Sequence, residues 1–380
     1  MTEMIYGSAS APLPRISSEN WRLSIDRWVL GSVIALFLFG LLLSMASSPA
    51  LAEKNNLPQF YYFTRQIIFG ILSMITMLIL STFSPKFVRR TGVMGFFIAA
   101  LFLLALPIIG TNFGKGATRW ISLGFASVQP SEFLKPGFVI AIAWMVASAK
   151  VTNGPPGRLL ATGTTFFLVI VLALQPDFGQ ATLLLLSFFA ILFVSGIKAK
   201  WLLAMGSVVG IGARFAYLNS DHVARRIDSY LSDEIDPHTQ IGYAANAISN
   251  GGFFGAGVGE GVVKYSLPDA HTDFIMAVAA EEYGLWFCWL ITGIFAFIVV
   301  RSFMKLMRNS DHFTRLAGVG LATLIGAQSM INLGVAAHLF PTKGMTLPLI
   351  SYGGSSQVAI GITFGFLLAL TRTRGGEVHS

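Results

Sequence analysis

Ten long apolar runs, more than any single motif, decide what this chain can fold into. They fall at about 28–46, 66–83, 91–109, 131–149, 159–175, 180–197, 201–218, 274–300, 316–339 and 352–371. A helix rises 1.5 Å per residue, so about 20 apolar residues cross the ~30 Å hydrocarbon layer of a bilayer. Lipid cannot satisfy stray backbone groups, so runs of this length are expected to be helices. Composition agrees. Of 380 residues, 54% are hydrophobic and 12% are charged, about half the charge of an average soluble domain. So few charges cannot cover a water-facing surface. The reading is an all-α, polytopic membrane protein with ten transmembrane helices over 28–372, a tail over 1–27 and a short tail over 373–380. Its longest connection, 219–273, lies between the seventh and eighth helices.

Direction follows from Lys and Arg, which are retained on the cytoplasmic side of short connections. With the N-terminus inside, sixteen of them fall on the cytoplasmic side, Lys86, Arg89, Lys200 and Arg308 among them. The short outer loops keep only six: Lys54, Arg65, Lys115, Arg119, Lys135 and Lys343. An even number of spans then returns the C-terminus to the cytoplasm. Thirteen of the eighteen Asp and Glu residues fall on the outer side or at its rim. Acidic residues barely influence insertion, so chemistry on the outer face is the sharper explanation. A solvated loop is the bland one, and it covers Asp228, Asp233, Glu234 and Asp236.

The formal charge of +8 is not a nucleic-acid signature. The basic residues sit in small groups between apolar runs, not in one dense stripe with exposed aromatics. The single cysteine, Cys288, excludes an internal disulfide and a multi-cysteine metal site. Ala50-Leu51-Ala52 resembles a signal-peptidase site, yet the apolar run before it exceeds the ~7–15 residues of a signal sequence. It is read as a retained span. Pro12, Pro14 and the serines around them argue against a stable fold for the first tail.

Three clusters place charge or special backbone where lipid-facing helices should have neither. In Gly116-Ala-Thr-Arg119-Trp120 and Gln129-Pro-Ser-Glu132-Phe-Leu-Lys135, Glu132 and Lys135 lie one turn apart. They read equally as an intrahelical pair and as part of a cavity. Arg119 has the planar fork that suits phosphate oxygens, and Trp120 is either an interfacial anchor or a platform for a sugar ring. The second cluster, Ser266-Leu-Pro268-Asp269-Ala-His271-Thr-Asp273, reads as a helix start. Ser266 and Asp269 have capping-box spacing and Pro268 suits the first helical position. Asp269 then has a structural job and Asp273 has none. Glu281 lies about 12 Å further along a helix, so a single catalytic carboxylate is expected instead of a dyad. The third cluster, Pro341-Thr-Lys343-Gly344 running into Ser351-Tyr-Gly353-Gly354-Ser355-Ser356, is broken backbone of the kind tolerated where it lines a cavity. The glycines of 251–261 lack a dinucleotide fingerprint and read as a tight, re-entrant or substrate-hugging loop. Val128-Gln-Pro-Ser echoes Leu174-Gln-Pro-Asp177, by chance or as the trace of an internal repeat.

The stretches GATRWI, VQPSEF, LPDAHTDFI with AAEEYG, and PTKGMTLPLISYGGSS resemble the motifs of the SEDS (shape, elongation, division and sporulation) glycosyltransferases, in that family's order and spacing over about 28–372. The resemblance implies ten helices and polymerisation of lipid II on the outer face of the inner membrane. It implies a class B penicillin-binding transpeptidase of the divisome, and other divisome membrane proteins, as partners, and no nucleic acid. The family's essential aspartate maps onto Asp273. Arg119, Trp120, Glu132 and Lys135 fall near its central cavity, and His271, Lys343, Ser351, Gly353, Gly354 and Ser355 belong to the same matching motifs. No cofactor is required by the resemblance, and a divalent metal such as Mg2+ at the diphosphate is left open. The run from Pro341 to Thr346 resembles the division branch, which implies synthesis at the septum and not along the lateral wall. The rivals are a lipid II flippase using the same cavity, an elongation polymerase and a scaffold without catalysis. A flippase needs no general base at the outer rim, which favours the enzyme.

Overall fold

A computed structural model of the chain describes residues 21, 23–111, 119–124, 127–149, 154–231, 237, 239–341 and 344–373. The tail over 1–20 and Lys343 therefore lie outside the described residues. The first half holds α1 (Arg27–Lys54), α2 (Tyr61–Ser81), α3 (Pro85–Ile109), α4 (Pro130–Ser148), α5 (Gly157–Leu174) and α6 (Phe178–Val194). Before α4, β1 (Ile121–Ser122) and β2 (Ser127–Val128) form a short antiparallel ribbon that pairs Ile121 with Val128. The second half holds α7 (Ala199–Asn219), α8 (Asp221–Leu231), α9 (Gln240–Gly251), α10 (Ile275–Tyr283), α11 (Leu285–Met307), α12 (His312–Ala336) and α13 (Gly354–Leu370). Eight of these helices are long and apolar enough to cross a membrane, and α6 and α13 are shorter apolar helices of 17 residues.

Local chemistry sets several of the ends. Asp26 caps α1, its carboxylate accepting the N–H groups of Trp28 and Val29. The same carboxylate meets Arg301 Nε and Lys305 Nζ, both at 2.8 Å, near the end of α11. Ser84 caps α3, with Pro85 at the first helical position, where its missing N–H costs nothing. α4 and α12 occupy the middle of the bundle. α4 packs against α3, α12, α6 and α5, and α12 packs against α6, α11, α4 and α13. Most of both helices is buried, whereas none of α7 is.

The eighth apolar run is not one helix. Gly284 divides it, with φ at 89°, a left-handed conformation that a side chain would strain. α10 is buried along almost its whole length, and the glycine-rich loop wraps it. Leu285 N–H donates to Gly252 O, and Ala256 N–H to Glu281 O. The Glu281 carboxylate accepts the N–H groups of Val262 and Val263 at 2.7 and 2.8 Å, and Glu282 pairs with Lys264 at 2.5 Å in a buried site. The loop thus clasps its own helix.

The expected capping box is also absent. Residues 268–274 form turns and α10 begins at Ile275. Asp269 has φ at 53°, and its carbonyl accepts N–H groups from Thr272, Asp273 and Phe274. A tight turn satisfies those donors in place of a side-chain cap.

Candidate active site

At the end of the bundle that carries the long connection, a polar cavity of about 560 Å3 opens between the β ribbon, the 269–274 turn and the segment joining α12 to α13. Its wall includes Arg65, Arg119, Trp120, Gln129, Glu132, Asp269, His271, Asp273, Tyr352, Gly353 and Gly354.

Asp273 is positioned from both sides. Its N–H donates to Asp269 O at 3.1 Å. Its carbonyl accepts Asn332 Nδ2 at 3.0 Å, and the same amide donates to Met345 O at 2.7 Å. One side chain of α12 therefore fixes the aspartate and the facing segment together. That segment is stitched to the turn elsewhere too. Ser351 Oγ donates to Thr272 O at 2.5 Å and accepts Leu347 N–H at 2.8 Å, while Tyr352 N–H donates to His271 O at 2.9 Å. A Cβ placed on Gly344 would stand 3.3 Å from Asp273 Oδ2, so glycine keeps that side of the carboxylate uncrowded. The rings of Tyr62, His271 and Tyr352 meet in a triangle with centroids 5.4–5.8 Å apart, an apolar ledge with polar tips.

Two arginines bring positive charge to the same wall. Arg119 donates from Nε to Gln175 O at 3.0 Å and from Nη2 to Pro176 O at 2.5 Å. These carbonyls close the C-terminal end of α5, the negative end of its dipole. One edge of the guanidinium is therefore committed to structure. Arg65, near the start of α2, donates to the Tyr61 hydroxyl at 2.9 Å.

Beneath the wall runs a buried polar chain. Gln180 of α6 donates to Glu132 Oε1, Glu132 Oε2 pairs with Lys135 Nζ at 2.8 Å, Lys135 donates to Gln328 Oε1 at 2.9 Å, and Gln328 Nε2 reaches Thr346 O at 2.8 Å. Asn332 and Gln328, one turn apart on α12, thus hold the carbonyls of Met345 and Thr346.

Among the residues expected to bind substrate, the structure brings Arg119, Trp120, Glu132, His271, Gly353 and Gly354 to the cavity with Asp273. It does not bring Lys135, Ser351 or Ser355 to the wall. Lys135 and Ser351 are nearly inaccessible, and the Ser355 hydroxyl accepts Gln129 N–H. They support the wall from behind. Sequence reasoning passed over Arg65, Gln129, Gln240, Asp269, Thr346 and Tyr352, all of which line it. Arg65 carried a usable signal, a charge inside an apolar helix. Asp177 was also missed. It accepts from Gln129 Nε2 and Ser131 Oγ, so the two Gln-Pro turns touch in space. Their registers differ, because Gln129 caps α4 whereas Asp177 caps α6. The two turns touch but do not share one local geometry. Among the described residues, no group of three or more His, Cys, Asp or Glu side chains could hold a metal ion.

The chain is 45% identical over 370 residues to the probable peptidoglycan glycosyltransferase FtsW of Caulobacter vibrioides, covering 97% of this chain and 94% of that protein. It is 34% identical to the protein of the same name from Trichlorobacter lovleyi, over 91% of this chain and 93% of the relative. Its fold is similar to a chain of a peptidoglycan synthase complex solved for its coordination of polymerization and crosslinking, with a TM-score of 0.73, 25% identity, and 92% and 98% of the two chains covered. It is also similar to the rod shape determining protein RodA of Thermus thermophilus, with a TM-score of 0.68, 26% identity, and 92% and 97% covered. Residues 27–375 match the family model for the FtsW, RodA and SpoVE cell cycle proteins, and with these likenesses the chain belongs to that family.

Proposed function

We propose that this protein polymerises lipid II into β-1,4-linked glycan on the outer face of the cytoplasmic membrane, at the division septum, with Asp273 as general base. It is a peptidoglycan glycosyltransferase, the activity for which its relatives FtsW are named. It is a multi-pass membrane protein, and the Lys/Arg asymmetry supports placing both termini in the cytoplasm and the cavity outside. The single observation that carries the mechanism is Asp273 on the wall of a polar cavity shared with two arginines, at one end of a lipid-embedded bundle.

Lipid II joins an apolar tail, a diphosphate and two sugars. The 4-hydroxyl of the acceptor's GlcNAc attacks C1 of the donor's MurNAc, and the C1–O bond to the diphosphate breaks. The hydroxyl proton passes to the Asp273 carboxylate, and undecaprenyl diphosphate leaves. Direct displacement inverts the α-linked donor to a β bond. A positioned base of this kind contributes about 10²–10⁴ in rate. Arg119 and Arg65 meet the charge that grows on the diphosphate, and Lys343 is assigned to the same group by its motif. The Tyr62, His271 and Tyr352 rings offer a surface on which a sugar can rest. A class B penicillin-binding transpeptidase then crosslinks the strand.

The test is synthesis of glycan strands from lipid II by the purified protein with its transpeptidase partner, read on a gel. Asp273→Asn is expected to lose at least about 100-fold in rate while still folding, because the backbone contacts that hold the turn, Asp273 N–H to Asp269 O and Asn332 Nδ2 to Asp273 O, remain. Near-normal synthesis by the variant would sink the general-base assignment. Depletion in the native cell separates the cellular roles: filaments support septal synthesis, and rounded cells move the protein to elongation.

A further inference from the structure

At the end of the bundle opposite the active site, five helix ends converge: α2 stops at Ser81, α3 starts at Pro85, α11 stops at Met307, α12 starts at His312 and α13 stops at Leu370. A second cavity, of about 430 Å3, opens among them. Lys86, Arg89 and Arg372 supply cations from two separate parts of the chain, and Phe313 and Leu370 supply an apolar wall.

The charges in this cavity are not neutralised from within. Among the described residues, none of the three cations pairs with a carboxylate. Arg89 lies 6.0 Å from the Phe313 ring centre, a contact that uses no N–H donor. Arg372 donates from Nε to Ser24 Oγ and from Nη1 to the carbonyls of Ser81 and Thr82, which fixes its head beside the cavity. Among the described residues, the one acid in the wall is Asp311. Its Oδ2 accepts from both the N–H and the hydroxyl of Thr314 as the cap of α12, so it is turned onto its own helix.

Three cations against one occupied carboxylate attract an anion. The depth, where helices leave the hydrocarbon, and the apolar wall say which kind. Basic pockets between membrane helices on the cytoplasmic side suit lipid phosphates, each Lys or Arg near the surface contributing about 1 kcal/mol. We propose that this pocket binds the phosphate of an anionic glycerophospholipid, of the phosphatidylglycerol or cardiolipin class, with the glycerol and first acyl carbons against Phe313 and Leu370. A zwitterionic lipid carries its own cation into a site that already has an excess of them. The leaflet rests on the orientation proposed above, and the binding itself does not.

Native mass spectrometry of the full chain released from detergent tests this, with phosphatidylglycerol, cardiolipin, phosphatidylethanolamine and soluble glycerol 3-phosphate as probes. The anionic lipids should bind at least about tenfold more tightly than phosphatidylethanolamine, and glycerol 3-phosphate should not displace them. Lys86→Gln with Arg89→Gln should weaken anionic-lipid binding about 25-fold, about fivefold per cation. Asp311→Asn, which still caps the helix, should strengthen it a few-fold. Arg308→Gln, an exposed neighbour outside the cavity, should change nothing. Melting temperatures confirm that each variant is folded. Equal binding of phosphatidylethanolamine overturns the proposal, as does a double variant that binds like the wild type. Displacement by glycerol 3-phosphate would make it a site for a soluble phosphate and overturn the lipid assignment.

Discussion

α4 and α12 on one side, and α7 on the other, are the three least apolar of the long spans, yet 72% of each of the first two is buried and none of the third. The same loss of hydropathy has opposite causes. α4 loses it to Glu132 and Lys135, whose partners lie inside the bundle. α7 loses it to Arg214, exposed near its C-terminal end with its guanidinium 5.8 Å from the Tyr217 ring centre, and to Gly206, Gly210 and Gly212, which have nothing within 4 Å of where a Cβ would stand. In a lipid-embedded chain, ionised groups deep in a span must go inward to find partners, whereas an arginine near a helix end can reach the interface and a bare glycine can face acyl chains at little cost. Polarity in a span predicts burial only when it comes from groups that need partners.

That contrast is sharpest at the buried ion pair of Glu132 and Lys135. Lys135→Met should leave Glu132 uncompensated and lower stability by about 3–5 kcal/mol, read as thermal unfolding in detergent. Adding Glu132→Gln should restore most of the loss. A silent Lys135→Met would mean that water reaches the pair, and the contrast with α7 would collapse.

A smaller effect is expected where an ion pair stands at the edge of the bundle. Burial pushes the Asp26 carboxyl upward, but Lys305 and Arg301 outweigh it and hold its pKa below the ordinary value of 3.8. A carboxyl depressed in the folded state stabilises the fold above its unfolded pKa, and that contribution fades as pH falls through the folded one. Asp26→Asn keeps the cap and should cost about 1.5–3 kcal/mol at neutral pH. The gap from the wild type should close as pH drops below 3.8. A gap that does not depend on pH would assign the loss to packing instead.

At the bottom of the scale, Gly210→Leu on α7 should stay within about 0.5 kcal/mol of the wild type. A larger loss in the isolated protein would show that α7 packs on something after all.

The ten apolar runs were legible because membrane thickness is a length scale that sequence must obey. The division at Gly284 was not, since one glycine is a weak signal. Asp273 could be singled out as a carboxylate at a helix rim, but its setting could not. The Ser266–Asp269 pattern pointed to a cap, and the turn that replaced it depends on Asn332 and Ser351, distant in sequence. Spacing of three residues exposed the Glu132–Lys135 pair. Its outer partners, Gln180 and Gln328, lie 48 and 193 residues from the groups they bind, beyond any local reading. The same separation hid the carbonyls that occupy one edge of Arg119.

The β ribbon before α4 is only two residues per strand, yet it stands between two different surroundings. Ser127 and Gln129 line the polar cavity. Ile121, Leu123, Val128 and Pro130 line an apolar groove of about 570 Å3 between α2, α3, α4 and α13. Neighbouring side chains on a strand point to opposite faces, so this ribbon is a partition one residue thick. Parity is therefore its vulnerable quantity. A slip of one position would turn every apolar side chain to the wet face and every polar one to the dry face. A change of two would restore both. A single residue inserted between Ile121 and Ser122 should then be rejected, and a pair of residues tolerated.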